Sequence, residues 1–209
     1  MQPKSLDSLS PTMQATRRRI LDGAKLVLSE RGIAATTVED ILKSSGVSRR
    51  TYYQYFKSKI DLLEAIYEDS AERLLGLISH SLQEVEISEK LASTVDAYLG
   101  YQRDGGALVI ALQAEAVRPD SRLSARRDRT LDTIVALIDG NVREVLSLKI
   151  DPLAYRALLM AIDCMVIDLQ RDGTFTTRDS DRVRQIAIIM FAQLLAAGKE
   201  LPVPDYLSV

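Results

Sequence analysis

Apolar residues in this chain recur three and four positions apart between sparse prolines and glycines, with almost no strict alternation of apolar and polar residues. That is the period of one face of a helix, so strands have nothing to build on and the expected fold class is all-α. Gly32, Gly46, Gly105-Gly106, Pro119-Asp120, Asp151-Pro152 and Gly173 are the stop and start signals between segments. A first helix is expected over residues 16–31, with Ile20, Ala24, Val27 and Leu28 on its apolar face. A second starts at Thr36 or Thr37, either of which can cap it with Glu39 or Asp40 three residues on. Ser48 caps a third through Tyr55, and Ser58 opens a fourth that reaches about Leu82. Further helices are expected near 88–103, 106–117, 121–148, 152–172 and 180–199.

With 209 residues the chain can bury one sizeable core or two small ones. No apolar run reaches the roughly 18–20 residues of a membrane span. The N-terminal MQPKSLDSLSPTMQATRRR has no apolar centre after its charges, so it reads as a mobile arm over residues 1–15 and the cytoplasm as the expected compartment. One cysteine, Cys164, and one histidine, His80, make neither an internal disulfide nor a zinc site of recognised spacing. With no Gly-rich phosphate loop, G-x-S-x-G or paired Glu-x-x-His, no cofactor is expected and enzymatic chemistry has no carrier.

The formal net charge of −2 conceals a segregation. Residues 1–60 carry 11 Lys and Arg against 5 acids, whereas the remaining 149 residues carry 16 against 24. A small basic part therefore faces a polyanion and a larger acidic part does something else. Within the basic part, GVSRRTYYQYFKSK packs four aromatics and four cations into residues 46–59. The joint Lys43-Ser44-Ser45-Gly46-Val47-Ser48 has the length and central glycine of a helix-turn-helix, whose second helix enters the DNA major groove. On that helix Tyr52 and Phe56 align with Val47 and Leu63 as the inward stripe, while Arg49, Arg50, Tyr53 and Gln54 lie off it. Arginines there can fork onto guanine edges, and hydroxyls can donate to phosphates. Lys59 lies in the first turn of the fourth helix, and Arg17-Arg18-Arg19 at the entry to the first lie within reach of a neighbouring phosphate.

Residues 19–67 resemble the TetR/AcrR family of bacterial transcriptional regulators. The family's approximate pattern is R-I-L-x-A-A, then T-T-V-x-x-I, then A-G-V-S-x-x-T-h-Y-x-Y-F-x-S-K-x-x-L-L, with h apolar. The chain offers Arg19-Ile20-Leu21 with Ala24, Thr36-Thr37-Val38-Glu39-Asp40-Ile41, and the run from Gly46 through Leu62-Leu63. It departs at Gly23, Leu42 and Ser45, where the family prefers alanine. The resemblance implies a three-helix DNA-binding domain over residues 16–60 and a helical ligand-binding and dimerisation domain over 61–209. It places Thr37, Ser48, Arg49, Arg50, Thr51, Tyr53, Tyr55 and Lys59 at DNA-contacting positions, with Arg49 and Arg50 on base edges and Thr37, Thr51, Tyr53, Tyr55 and Lys59 chiefly on phosphates. The partners implied are a double-stranded DNA operator, an unknown small-molecule effector and a second copy of the chain, with no membrane. The function implied is a repressor that its effector releases. A DNA-binding adaptor or nucleoid-associated protein without a small ligand is the competing reading.

In the acidic part Tyr98, Tyr101, Gln113, Met160 and Cys164 are polar-tipped or soft residues near apolar faces, as a cavity requires. Asp163 and Asp168 interrupt an apolar helix, where they meet a cationic ligand, solvent or an arginine such as Arg184. Arg126-Arg127-Asp128-Arg129 reads as a solvated face or a lure for an acidic headgroup. The last two helices are apolar most of the way round, and their second face needs a cover. A second copy supplies it through Leu158, Ile162, Val166, Ile186, Met190 and Leu194; a central position within one protomer is the alternative.

Overall fold

The computed structural model describes residues 10–84, 86–170 and 176–200. Among these are eight helices and no strand: α1 (Pro11–Ala35), α2 (Val38–Ser45), α3 (Arg49–Tyr55), α4 (Lys59–Ser81), α5 (Ile87–Val117), α6 (Ser124–Leu146), α7 (Pro152–Gln170) and α8 (Thr177–Glu200). Local chemistry accounts for their ends. The Thr37 side chain accepts from the Asp40 amide while the Asp40 carboxylate accepts from the Thr37 amide, a reciprocal cap on α2. Gly46 closes α2 in the left-handed conformation at φ 62°, which a Cβ disfavours, and Ser48 then caps α3.

Three sequence expectations need correcting and a fourth holds. Residues 11–15, expected in the arm, are helical, because Ser10 accepts from the Met13 amide and Pro11 stands at the first helical position; residues 1–9 lie outside the described residues. The expected division between residues 88–103 and 106–117 holds: α5 is two helical stretches that meet at a kink where Gly106 is non-helical, at φ 50° and ψ −142°. The expected 121–148 segment starts later, since residues 119–123 form a turn whose Leu123 is fully buried. The last helix starts earlier, because Thr176 and Asp179 make a second reciprocal cap. The expected end of α7 at residue 172 and the stop at Gly173 lie outside the described residues.

The helices enclose two cores. In the first, Ile20, Leu28, Ile41, Tyr52 and Phe56 pack with Leu62, Leu63 and Ile66 of α4, and Leu112, Ala116 and Leu123 join from α5 and the following turn. In the second, Leu74 and Ile78 of α4 pack with apolar residues of α5 to α8. Leu158, Ile162 and Val166, expected at a dimer interface, lie in this second core. The alternative of a central position within the protomer holds for that face of α7, because α5, α6 and α8 already cover it. Met190 and Leu194 are partly buried against the same core, whereas Ile186 is exposed. Leu153 and Met160 of α7 and Ile189 of α8 are exposed as well. No helix among the described residues is long and apolar enough to cross a membrane.

The departures at Gly23 and Ser45 explain one another. A Cβ on Gly23 would stand 2.7 Å from the Ser45 amide nitrogen and 2.8 Å from its Cα, so α1 and α2 touch backbone to backbone. The Ser45 hydroxyl donates to the Ile41 carbonyl at 2.6 Å, which satisfies it in the buried joint. At an open helical site Gly→Ala would stabilise by about 1 kcal/mol. Here Gly23→Ala is expected to destabilise by about 1–3 kcal/mol in urea unfolding, because the clash is with backbone that must move.

Candidate nucleic-acid interface and interior cavity

The turn between α2 and α3 sets α3 on a buried aromatic base. Tyr52 and Phe56 are buried, with ring centroids 5.9 Å apart, and the Tyr52 hydroxyl donates to the Ser58 carbonyl at 3.3 Å. Burial raises the Tyr52 phenol to about 12, so it stays protonated. Tyr53 meets Tyr52 edge-on at 5.3 Å and is itself exposed. Val47 and Leu63 are buried with Tyr52 and Phe56, so the inward stripe is the one expected. Ser48, Arg49, Arg50, Tyr53 and Gln54 point outward, and Thr51 and Tyr55 are half-buried at the edge.

Several of these groups are already engaged. Arg49 pairs with Glu39 at 2.7 Å, linking the first turns of α3 and α2. The Ser48 and Thr51 hydroxyls share a hydrogen bond at 2.8 Å, and the Thr37 hydroxyl donates to Asp40 at 2.6 Å. Arg50 is exposed with no ion pair among the described residues. The Arg17 guanidinium lies 5.7 Å from the Phe56 ring centroid and is half-buried, whereas Arg18 and Arg19 are exposed.

Lys59, expected on a phosphate, turns inward. Its ammonium donates to the carbonyls of Ile33 at 2.9 Å and Thr36 at 2.8 Å, two acceptors that the break at Gly32 leaves at the end of α1. Lys59→Met is therefore expected to lower stability by about 1–3 kcal/mol, measured by chemical denaturation without DNA.

The second core contains a cavity of about 80 Å³. Most of its wall is apolar, including Leu74, Ile78, Val95, Ile134, Ile138 and Phe191. Its polar end centres on Asp163 of α7. Oδ1 accepts from the Tyr98 hydroxyl at 2.8 Å and from Gln113 Nε2 at 3.2 Å, and Oδ2 accepts from Arg127 at 2.9 Å. Gln102 Nε2 donates to the Tyr98 oxygen at 2.8 Å. Burial, then the Asp163 charge, push the Tyr98 phenol well above its usual range, so its proton stays in the network.

Of the five expected cavity residues the structure brings Tyr98 and Gln113 to the wall. Tyr101 is buried elsewhere, its hydroxyl sharing a 2.7 Å hydrogen bond with Ser70 of α4. Met160 and Cys164 are exposed, on the opposite face of α7 from Ile162 and Val166. Arg127, read as solvated or as a lure for an acidic headgroup, is instead Asp163's partner, and Arg184 pairs with Asp96. The phase of α6 carried the signal: Arg127 lies four, seven and eleven residues before Leu131, Ile134 and Ile138, which line the same wall. Among the described residues no group of three His, Cys, Asp or Glu could hold a metal.

Helix α2, the turn at Gly46 and helix α3 form a helix-turn-helix by architecture. Residues 20–66 match the family model described as bacterial regulatory proteins, tetR family. The matched segment runs from α1 through α4 and includes the turn between α2 and α3, so the similarity to that family lies in the N-terminal part of the chain. The chain is 28% identical to the transcriptional regulator UidR of Escherichia coli K12 over 54% of its own length and 58% of that protein. It is 32% identical to the transcriptional repressor KstR2 of Mycolicibacterium smegmatis over 52% of its length and 54% of that protein. It thus spans a little over half the length of these curated relatives. Its fold is similar to that of Salmonella enterica GusR, with TM-score 0.68 and 24% identity over 88% of this chain and 98% of that one. It is also similar to that of the transcriptional regulator FadR from Bacillus subtilis solved with stearoyl-CoA, with TM-score 0.70 and 22% identity over 82% and 97%.

The Arg127–Asp163 pair is mostly withdrawn from solvent, with side-chain exposures of 16% and 11%. Removing one member leaves the other buried without its counter-charge, so Arg127→Met is expected to cost about 3 kcal/mol in chemical unfolding. Arg127→Met combined with Asp163→Leu should recover part of that loss, since the Tyr98 hydroxyl and Gln113 Nε2 then lose their acceptor.

Proposed function

We propose that this chain is a sequence-specific DNA-binding transcriptional regulator, a repressor that a small-molecule effector releases from its operator. The carrying observation is the two-faced α3, which buries Tyr52 and Phe56 and turns Arg49, Arg50 and Tyr53 outward. A helix so seated meets the major groove with arginines toward base edges and hydroxyls toward phosphates. The contact set is Thr37, Ser48, Arg49, Arg50, Thr51, Tyr53 and Tyr55, with Lys59 as the structural brace beneath it. The chain acts as a homodimer, in the cytoplasm, and the exposed Met160, Ile186 and Ile189 belong to the face that meets the second copy.

The cavity favours a ligand-responsive regulator over a ligand-free adaptor. The start of α6 and the turn before it face both ways: Arg127 reaches into the cavity network, while Arg126 and, from the turn, Arg122 bind acids of α4. Arg122 meets Asp61 at 3.1 Å and Glu64 at 2.8 Å, while Arg126 meets Glu64 at 3.1 Å and also pairs with Glu68. Helix α4 then inserts Leu62, Leu63 and Ile66 beneath α3. A cavity of about 80 Å³ is smaller than the roughly 150 Å³ that holds a benzene ring. An effector must therefore part α6 from its neighbours, and the arginine clamp passes that displacement to α4 and the spacing of the two recognition helices.

The test is a binding titration, across salt concentrations, on DNA from immediately upstream of the chain's own gene. Wild type is expected to bind one pseudo-palindromic stretch, and Arg50→Ala to lose about 1–3 kcal/mol with discrimination relaxed at one base pair. Weak binding, equal on every duplex and steeply salt-dependent, would count against a specific regulator.

A further inference from the structure

We infer that the cavity selects an uncharged, largely apolar molecule bearing a single hydroxyl donor, and that the Gln113 side-chain oxygen accepts that proton. The inference rests on the reading of the cavity as the effector site and adds the chemical class of the effector.

Charge comes first. Arg127 and Asp163 are the ionisable residues of opposite sign on the wall, and they neutralise one another at 2.9 Å. An anionic ligand would have to draw Arg127 away and strand Asp163, and a cationic ligand would have to displace Arg127. Either leaves a charge uncompensated in an apolar chamber, which is the most costly way to disturb a buried pair. A neutral guest leaves the two charges matched to one another.

The Tyr98 hydroxyl gives its proton to Asp163 and accepts from Gln102. The Thr94 and Thr130 hydroxyls on the wall donate to the carbonyls of Lys90 at 2.7 Å and Arg126 at 3.0 Å, and the Tyr67 hydroxyl, on the same wall, is engaged with Thr130. Gln113 differs. Its Nε2 is committed to Asp163, and because a carboxylate only accepts, the amide cannot be turned the other way. Its Oε1 is left buried with no partner. An unpaired buried acceptor is unfavourable until a donor arrives, so a guest with a hydroxyl there gains what an isostere without one forfeits. The remaining wall, from Leu74 to Phe191, asks for an apolar body.

The experiment titrates the full chain calorimetrically near pH 7 with four probes that share a tail: 4-butylphenol, 4-butylanisole, 4-butylbenzoate and 4-butylbenzylamine. The phenol is expected to bind about tenfold or more tighter than the other three. Gln113→Leu should erase its advantage over the anisole while leaving the anisole's affinity in place. Gln113→Met serves as the second variant, and the melting curve of each reports that it is folded. Tightest binding of the benzoate or the ammonium, equal binding of phenol and anisole, or a phenol preference that survives both variants would overturn the ligand class and leave the effector cavity standing. Failure of all four to bind would overturn the effector cavity and this inference together.

Discussion

The buried carboxylate of Asp163 organises the larger half of the molecule. A charge in an apolar interior must be matched, and the matching groups come from α5 and α6 while the carboxylate itself sits on α7. Three helices are thereby fixed in register at one point, and the cavity is the space their apolar faces do not fill around it. The first turn of α6 binds α4 through Arg126, and the turn before it adds Arg122, so the interior network and the support beneath α3 meet at the start of α6. Surface ion pairs taken singly add little to stability. Here two arginines share the partly buried Glu64 and report the position of α6 to α4.

Much of this was legible from spacing alone. The inward stripe Val47, Tyr52, Phe56 and Leu63, the caps at Thr37, Ser48 and Ser58, and the stop at Gly46 follow from periodicity and backbone preference, which act over a few residues. The misreadings share a different cause. Leu158, Ile162 and Val166 had to be assigned to the protomer core or to a second copy, and that depends on which helices surround α7. Met160 and Cys164 have cavity-forming chemistry but the wrong phase on their helix, while Arg127 has surface chemistry and the right phase. Residue type misled where phase was informative. The Arg127–Asp163 pair joins residues 36 apart in sequence, and nothing local marks that partnership.

Lys59 and Gly23 show how the α3 surface is held without touching it. Lys59 answers the two carbonyls released where α1 breaks, and Gly23 lets α1 and α2 meet at backbone contact. Gly23 brings α1 and α2 together and Lys59 ties α4 to the end of α1, the helices among which α3 is seated. Their role is geometric, although Lys59 carries the type of charge that a reader of the sequence would assign to a phosphate.

The division of charge along the chain does not coincide with any division of packing. Helix α4 runs unbroken from beneath α3 into the second core, and the first core is closed by Leu112, Ala116 and Leu123 from far along the chain. The basic segment is thus a protruding face with a shared foundation, and its roof beams belong to its neighbour. Loosening the end of α5 or the turn before α6 removes part of the wall against which Leu62 and Leu63 rest. The two halves are in mechanical series, so neither relaxes without being felt in the other.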